Sequence, residues 1–235
     1  MKKSKIATLI VLFGLIPGTL YLGTRLSGRS YYLVGTLMVI ELLIPFFLAF
    51  EGRRPQAREL VTIAVLCAIA VAGRAAIPIP NFKAIFAIIM ISGIAFGPES
   101  GFLVGAVSAL ASNFFYGQGP YTPWQMLGYG VAGLLAGFVF SKNWIARKPL
   151  PMAVFGAVCV VLVVGPILDL SDIFLKLTQI DLAAVVVVFA AGLPVNVSQA
   201  VCTFLTLLLI GKPLLEKLDR LKEKYGMMEA GGDGI

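Results

Sequence analysis

A chain of 235 residues that is 59% hydrophobic, 13% charged and has a mean hydropathy of +0.94 is excluded from the soluble domains, where about a quarter of residues carry charge. Its formal charge of +7 sits on residues flanking apolar runs, which points to membrane topology and anionic-lipid contact and away from nucleic acid. There is no histidine, so the commonest general base, the commonest transition-metal ligand and most nucleophilic triads are missing. The three cysteines, Cys67, Cys159 and Cys202, lie singly in apolar runs without CxxC spacing and read as small packing residues.

A helix needs about 20 apolar residues to cross a hydrocarbon core. Breaks at charges, Gly and Pro predict spans at 5–24, 31–50, 58–77, 84–97, 101–116, 123–141, 151–169 and 183–210, the fourth and fifth being short. The basic start of the first fits a signal peptide, but its apolar run exceeds a typical h-region and no small-x-small site follows, so it is read as a helix. The cluster EGRRPQ, residues 51–56, marks the best internal boundary. The expected organisation is a transmembrane hairpin over 1–57, a six-helix membrane domain over 58–211 and a cytoplasmic tail over 212–235. In the tail Leu214, Leu215, Leu218 and Leu221 recur at spacings of three and four, which predicts an amphipathic helix on the inner surface or an extension of the last span. The final MEAGGDGI is expected to be disordered. No period of 20 to 50 residues recurs. The fold class is an all-α polytopic membrane protein. Alternating the spans leaves Arg25, Arg29, Arg74, Lys83 and Lys176 outside and the other fourteen of the 19 Lys and Arg inside, so the positive-inside rule puts both termini in the cytoplasm.

On the third span Ala64, Ala68, Ala72 and Ala76 form one small-residue stripe, suited either to packing within the bundle or to docking another membrane subunit. Between the fifth and sixth spans runs SNFFYGQGPYTPWQ, residues 112–125. Its amides Asn113, Gln118 and Gln125 and its aromatics Phe114, Phe115, Tyr116, Tyr121 and Trp124 are what a small-molecule site is lined with, although an interfacial aromatic belt shares the aromatics. Gly117, Gly119, Pro120 and Pro123 turn the backbone there. Two further loops share the outer face. GRAAIPIPNFK, residues 73–83, offers Arg74, Asn81 and Lys83 on a stretch stiffened by two prolines, and is a candidate lid. Residues 170–181 follow Asp169 and carry Asp172, Lys176 and Asp181. Within the last span, LPVNVSQ sets Asn196, Ser198 and Gln199 beside Pro194; polar groups at that depth must face protein, water or ligand. Glu41 is a carboxylate embedded in the second span, and ion coupling through it or Asp169 is the weaker reading.

The stripe Ala64 to Ala76 and the segment FGPESGFLVGAVSALASNFFYGQGPYTPWQMLGYG, residues 96–130, resemble the substrate-binding S components of energy-coupling factor (ECF) vitamin transporters, a likeness that covers about residues 58–210. The resemblance implies a prokaryotic plasma-membrane protein that binds a vitamin from outside. It would then associate with a transmembrane coupling subunit and two cytoplasmic ATPases and topple in the membrane to release its cargo. ATP would be bound by those partners, in keeping with the lack of a GxxxxGK[ST] loop in this chain, which itself would need no cofactor or metal and would not be an enzyme. Under this reading the Ala stripe docks the coupling subunit. The substrate-binding set is then Arg74, Asn81, Lys83, Asn113, Tyr116, Gln118, Tyr121, Trp124, Gln125, Tyr129, Asp169, Asn196 and Gln199. A surface with many aromatics and amides favours a large, flat, mostly neutral vitamin: cobalamin or a related corrinoid first, a riboflavin- or queuosine-type compound next. The N-terminal hairpin departs from the six-span pattern. An intramembrane enzyme, a secondary transporter and a structural membrane protein are the alternatives from other classes.

Overall fold

The computed structural model describes residues 31–52, 57–141, 147–177 and 181–226, together with six single positions between residues 10 and 21. Most of the first predicted span, the 53–56 boundary and the end of the tail lie outside them. Among the described residues there is helix and loop and no strand, as the apolar runs require: in lipid a backbone must satisfy its own hydrogen bonds. In chain order the helices are α1 (Tyr31–Gly52), α2 (Ala57–Ala75), α3 (Ile85–Phe96), α4 (Pro98–Tyr116), α5 (Thr122–Phe140), α6 (Pro149–Cys159), α7 (Gly165–Lys176), α8 (Leu182–Thr206) and α9 (Lys212–Tyr225). A π-helical turn at Val160–Val164 joins α6 to α7, and another at Leu207–Gly211 joins α8 to α9.

Proline sets several starts. Pro98, Pro123 and Pro149 stand in first turns, where no intrahelical N–H is needed, whereas Pro166 and Pro213 follow the π-helical turns inside continuous helix. At the start of α8, Asp181 accepts from the Ala184 amide at 2.7 Å, capping the helix.

Among the described residues, three continuous helical stretches are long and apolar enough to cross a membrane by length and composition: Thr122–Phe140, Pro149–Lys176 and Leu182–Tyr225. The predicted span at 84–97 behaves differently. At 12 residues α3 reaches about 18 Å, short of a hydrocarbon core of about 30 Å, and all of its residues are buried. It is the axis of the bundle, sheathed by α2, α4 and α5, and its lack of an amphipathic face reflects burial on every side.

The closest packing is made by glycine. Gly93 on α3, Gly101 and Gly105 on α4, and Gly133 and Gly137 on α5 bring three backbones together; a Cβ on Gly101 would overlap the Gly133 carbonyl, and one on Gly133 would overlap that of Gly101. The alanine stripe is not spent on this. Ile63, Leu66, Cys67 and Ala70 bury one flank of α2, while Ala64, Ala68, Ala72 and Ala76 are exposed on the other.

Helix α1 packs on α4, α5 and α7, with Leu43 against Phe102 and Ala106, and Gly35 against Trp124 and Phe174. Helix α1 therefore takes a different face from the exposed stripe. Glu41 is not isolated: it accepts from the Thr19 hydroxyl at 2.5 Å.

Helix α9 extends the last span and docks on the core. Leu215 and Leu218 are buried, and Lys222 donates to the Ala95 carbonyl at 2.8 Å. Arg147 donates to the carbonyls of Ile94 (3.1 Å), Phe140 (3.0 Å) and Ser141 (2.7 Å) and pairs with Asp219 at 3.2 Å. These contacts supply donors to the orphan carbonyls at the C-terminal ends of α3 and α5. They also define one end of the bundle; the cavity described next lies at the other.

Candidate ligand cavity

At the end of the bundle away from Arg147, a cavity of about 720 Å³ opens between the α2–α3 loop, α4, α5, α7 and α8. Its polar and aromatic wall comes from Arg74, Asn81, Lys83, Phe86, Tyr116, Tyr121, Gln125 and Tyr129. The remaining lining comes from α7 and α8, with aliphatic Leu168, Val187, Val188, Ala191 and Val195 and polar Asp169, Ser171, Asp172, Lys176, Asn196 and Gln199. An apolar hollow with a few placed polar groups is the general form of a small-molecule site.

The 112–125 segment builds the first wall by hydrogen bonding to itself. Asn113, 1% exposed, donates to Thr122 Oγ1 at 3.1 Å and to Gln125 Oε1 at 2.8 Å. Thr122 donates to Gln118 Oε1 at 3.0 Å, Gln118 donates to the Leu110 carbonyl at 3.1 Å, and the Tyr121 hydroxyl donates to the Gly117 carbonyl at 2.7 Å. Gly117, at φ 102°, takes the turn that ends α4, a conformation rare for L side chains. Arg74 reaches in from α2, donating to Ser112 Oγ and, at 2.9 Å, to Asn113 Oδ1. Its guanidinium lies over the Tyr116 ring at 4.6 Å, and the Tyr116 hydroxyl donates to the Arg74 carbonyl at 3.2 Å.

The polar part of the second wall is a contact between two helices. Asn196 Nδ2 donates to Asp169 Oδ2 at 2.9 Å. Each partner faces a glycine: a Cβ at Gly192 would overlap the Asp169 carboxylate, and one at Gly165 would overlap the Asn196 amide. Both glycines stand four residues before a polar partner on their own helix, so each helix presents one gap and one polar group to the other. Beside them Gln199 Oε1 is buried without a hydrogen-bond partner.

The cavity thus gathers Arg74, Asn81, Lys83, Tyr116, Tyr121, Gln125, Tyr129, Asp169, Asn196 and Gln199 of the sequence-derived set. Three others stand apart. Asn113 is behind the wall as a support, and Gln118 closes the loop on itself. Trp124, 7% exposed, stacks on Phe174 at 5.4 Å on the side facing α1. Phe114 and Phe115 point outward, 75% and 80% exposed, as a lipid-facing pair would. Sequence reasoning did not select Phe86, Ser171 or the aliphatic face of α8. Gly192, two residues before Pro194 in an apolar helix, was the one available signal of a close approach there.

A second hollow, about 660 Å³ and almost wholly apolar, runs along the exposed stripe. Ala64, Ala68 and Ala72 with Val71 and Ala75 form one side, and Val107, Ala111 and Phe115 of α4 the other. Ala76 lies beyond its end. Tyr116 lines both this groove and the cavity.

A family model described as the S component of the ECF-type riboflavin transporter matches residues 55–220. The chain is 30% identical over 118 residues to a UPF0397 protein of Vibrio atlanticus, covering 47% of this chain and 64% of that relative. It is 37% identical over 82 residues to a UPF0397 protein of Lactococcus lactis subsp. cremoris, covering 34% of this chain and 41% of the relative. These matches span less than two thirds of the relatives' own length. No solved structure is a significant match.

Proposed function

The chain belongs to the family of ECF-type riboflavin transporter S components, and from that premise we propose that it is the solute-capturing subunit of an importer. It takes a vitamin-sized ring compound into the 720 Å³ cavity from the outer side and releases it inward with a coupling subunit and two ATPases. The observation that carries this reading is the pairing of two unlike surfaces on one small bundle: a polar, aromatic cavity at one end and an exposed alanine groove along the side, meeting at Tyr116.

Chemistry supports a passive binder. The cavity offers hydrogen bonds from Arg74, Gln125, Asn196 and Gln199, aromatic faces from Phe86, Tyr116 and Tyr129, and aliphatic contact from α8, which suit recognition of a heterocycle. The groove suits a helix-on-helix contact in lipid, where small side chains let backbones approach. ATP chemistry belongs in this reading to the partners.

Cavity size favours the smaller of the expected substrates. Sites of about 300–1,000 Å³ enclose drug-sized ligands. At about 720 Å³ this one holds a flavin- or deazaguanine-sized ring system whole, whereas a corrinoid, several times larger, would leave much of its bulk outside. The riboflavin class is therefore put ahead of the corrinoid class expected from the aromatics and amides of the predicted site.

The test is equilibrium binding to the purified full chain in nanodiscs, without ATP or partners, of riboflavin, cyanocobalamin and a deazaguanine base. Saturable binding of one of them is expected. Failure of all three to bind folded protein would remove the capture reading.

A further inference from the structure

The charges lining the cavity are unevenly paired. Asp172 and Lys176 form an exposed ion pair at 2.8 Å, and Asp169 accepts from Asn196. That leaves Arg74, from the end of α2, and Lys83, from the α2–α3 loop. Lys83 donates to the Ile77 carbonyl at 2.7 Å. Arg74 spends one nitrogen, Nη1, on Ser112 Oγ and Asn113 Oδ1, and its remaining neighbours are the faces of Tyr116 at 4.6 Å and Tyr129 at 6.0 Å. Among the described residues every partner of these two cations is neutral, and Arg74 Nε and Nη2 make no hydrogen bond.

The guanidinium is also held in place before any ligand arrives. Ser112 and Asn113 are 0% and 1% exposed, and Asn113 is itself fixed by Thr122 and Gln125. A half-buried cation that lines the cavity, oriented by neutral groups and with two guanidinium nitrogens free of hydrogen bonds, can pair bidentately with a carboxylate or phosphate. Burial without a counter-ion is costly, so an arriving anion would gain both the hydrogen bonds and the missing charge compensation.

We propose that the solute carries an anionic group, carboxylate or phosphate, which docks on Arg74, with Lys83 the second cation on that side of the cavity, while Asp169 accepts from the solute's hydrogen-bond-donating end. The inference rests on the capture reading above and sharpens its substrate class: among ring compounds that fit the cavity, those bearing an anionic arm bind more tightly than their neutral parents. The cavity is then polarised, and orientation follows from sign. A reversed ligand would set its anion against Asp169 and its donors against Arg74.

Wild-type full-length protein in phosphatidylcholine nanodiscs is titrated with two matched pairs, riboflavin 5′-phosphate against riboflavin and biotin against biotinamide, the first reporting phosphate and the second carboxylate. The anionic member of one pair is expected to bind roughly tenfold tighter or more, as a charge-assisted hydrogen-bond pair would give. The advantage should shrink with added salt, disappear in Arg74→Gln and survive in part in Arg74→Lys, with melting temperatures confirming that both variants fold. Equal or tighter binding of the neutral members, unchanged in Arg74→Gln, overturns the anion subsite and leaves capture standing. If none of the four binds, and inorganic phosphate and acetate raise the melting temperature of wild type no more than that of Arg74→Gln, the anion subsite is rejected on its own; capture is judged separately by the three titrations of the preceding section.

Discussion

Asn196 and Asp169 hold each other across two helices, and the consequence of separating them can be stated. Asn196→Ala would leave a carboxylate that is 8% exposed without its amide donor, and loss of such a partner costs about 1–3 kcal/mol. Solute affinity of the purified protein is expected to fall by a corresponding factor in a binding titration. Trp124 gives the opposite expectation. It was grouped with the ligand loop because its neighbours in sequence are polar and aromatic, yet it stacks on Phe174 and presses on Gly35. Trp124→Ala is expected to lower stability by about 3–5 kcal/mol in a thermal melt while changing affinity of the folded protein little, as a large-to-small change in a packed site does. Residue types were legible along 112–125; the direction of each was not. Tyr121 and Gln125 reach the cavity while Trp124, between them, faces the other way, because which neighbour each helix face meets is decided by parts of the chain far away in sequence.

Two helix surfaces made of small residues look alike in the sequence and do different work. The glycines of α3, α4 and α5 have no room for a side chain, so Gly133→Ala must push backbone from backbone; a loss of about 1–3 kcal/mol or more is expected in the melting of the purified protein. The alanines of α2 have open space before them. Ala68→Leu or Ala72→Leu is expected to leave both stability and solute affinity of the isolated chain unchanged, while abolishing uptake and co-purification with a coupling subunit. Lost solute binding with intact assembly would show that the stripe serves the cavity instead. Spacing of four announced a stripe on one face of α2; it carried no information on whether a neighbour already covered that face. The glycines went unremarked because five positions on three helices form a seam only after the helices are packed.

At the scale of the molecule, the polar machinery is divided between two ends of one bundle. Arg147 and Lys222 close the end opposite the cavity by capping carbonyls of α3 and α5, and so fasten the tail helix to the core. Arg147→Ala is expected to destabilise by at least about 1–3 kcal/mol, through orphaned carbonyls, and to speed proteolysis within 212–226 without altering solute affinity. Limited digestion compared with a binding titration would separate the two effects. The sequence by itself determined the solvent and the alphabet of the fold: long unbroken apolar runs with flanking charge select helices in lipid, and the polar residues within them had to be turned toward protein, water or ligand, since hydrocarbon offers them no partner. What only the tertiary structure decided was which of those residues share a space. Arg74, Tyr129, Asp169 and Asn196 come from four helices, and their meeting depends on a short buried α3 and on glycine gaps in α4, α5, α7 and α8, contacts set by packing between distant segments and not by any local pattern.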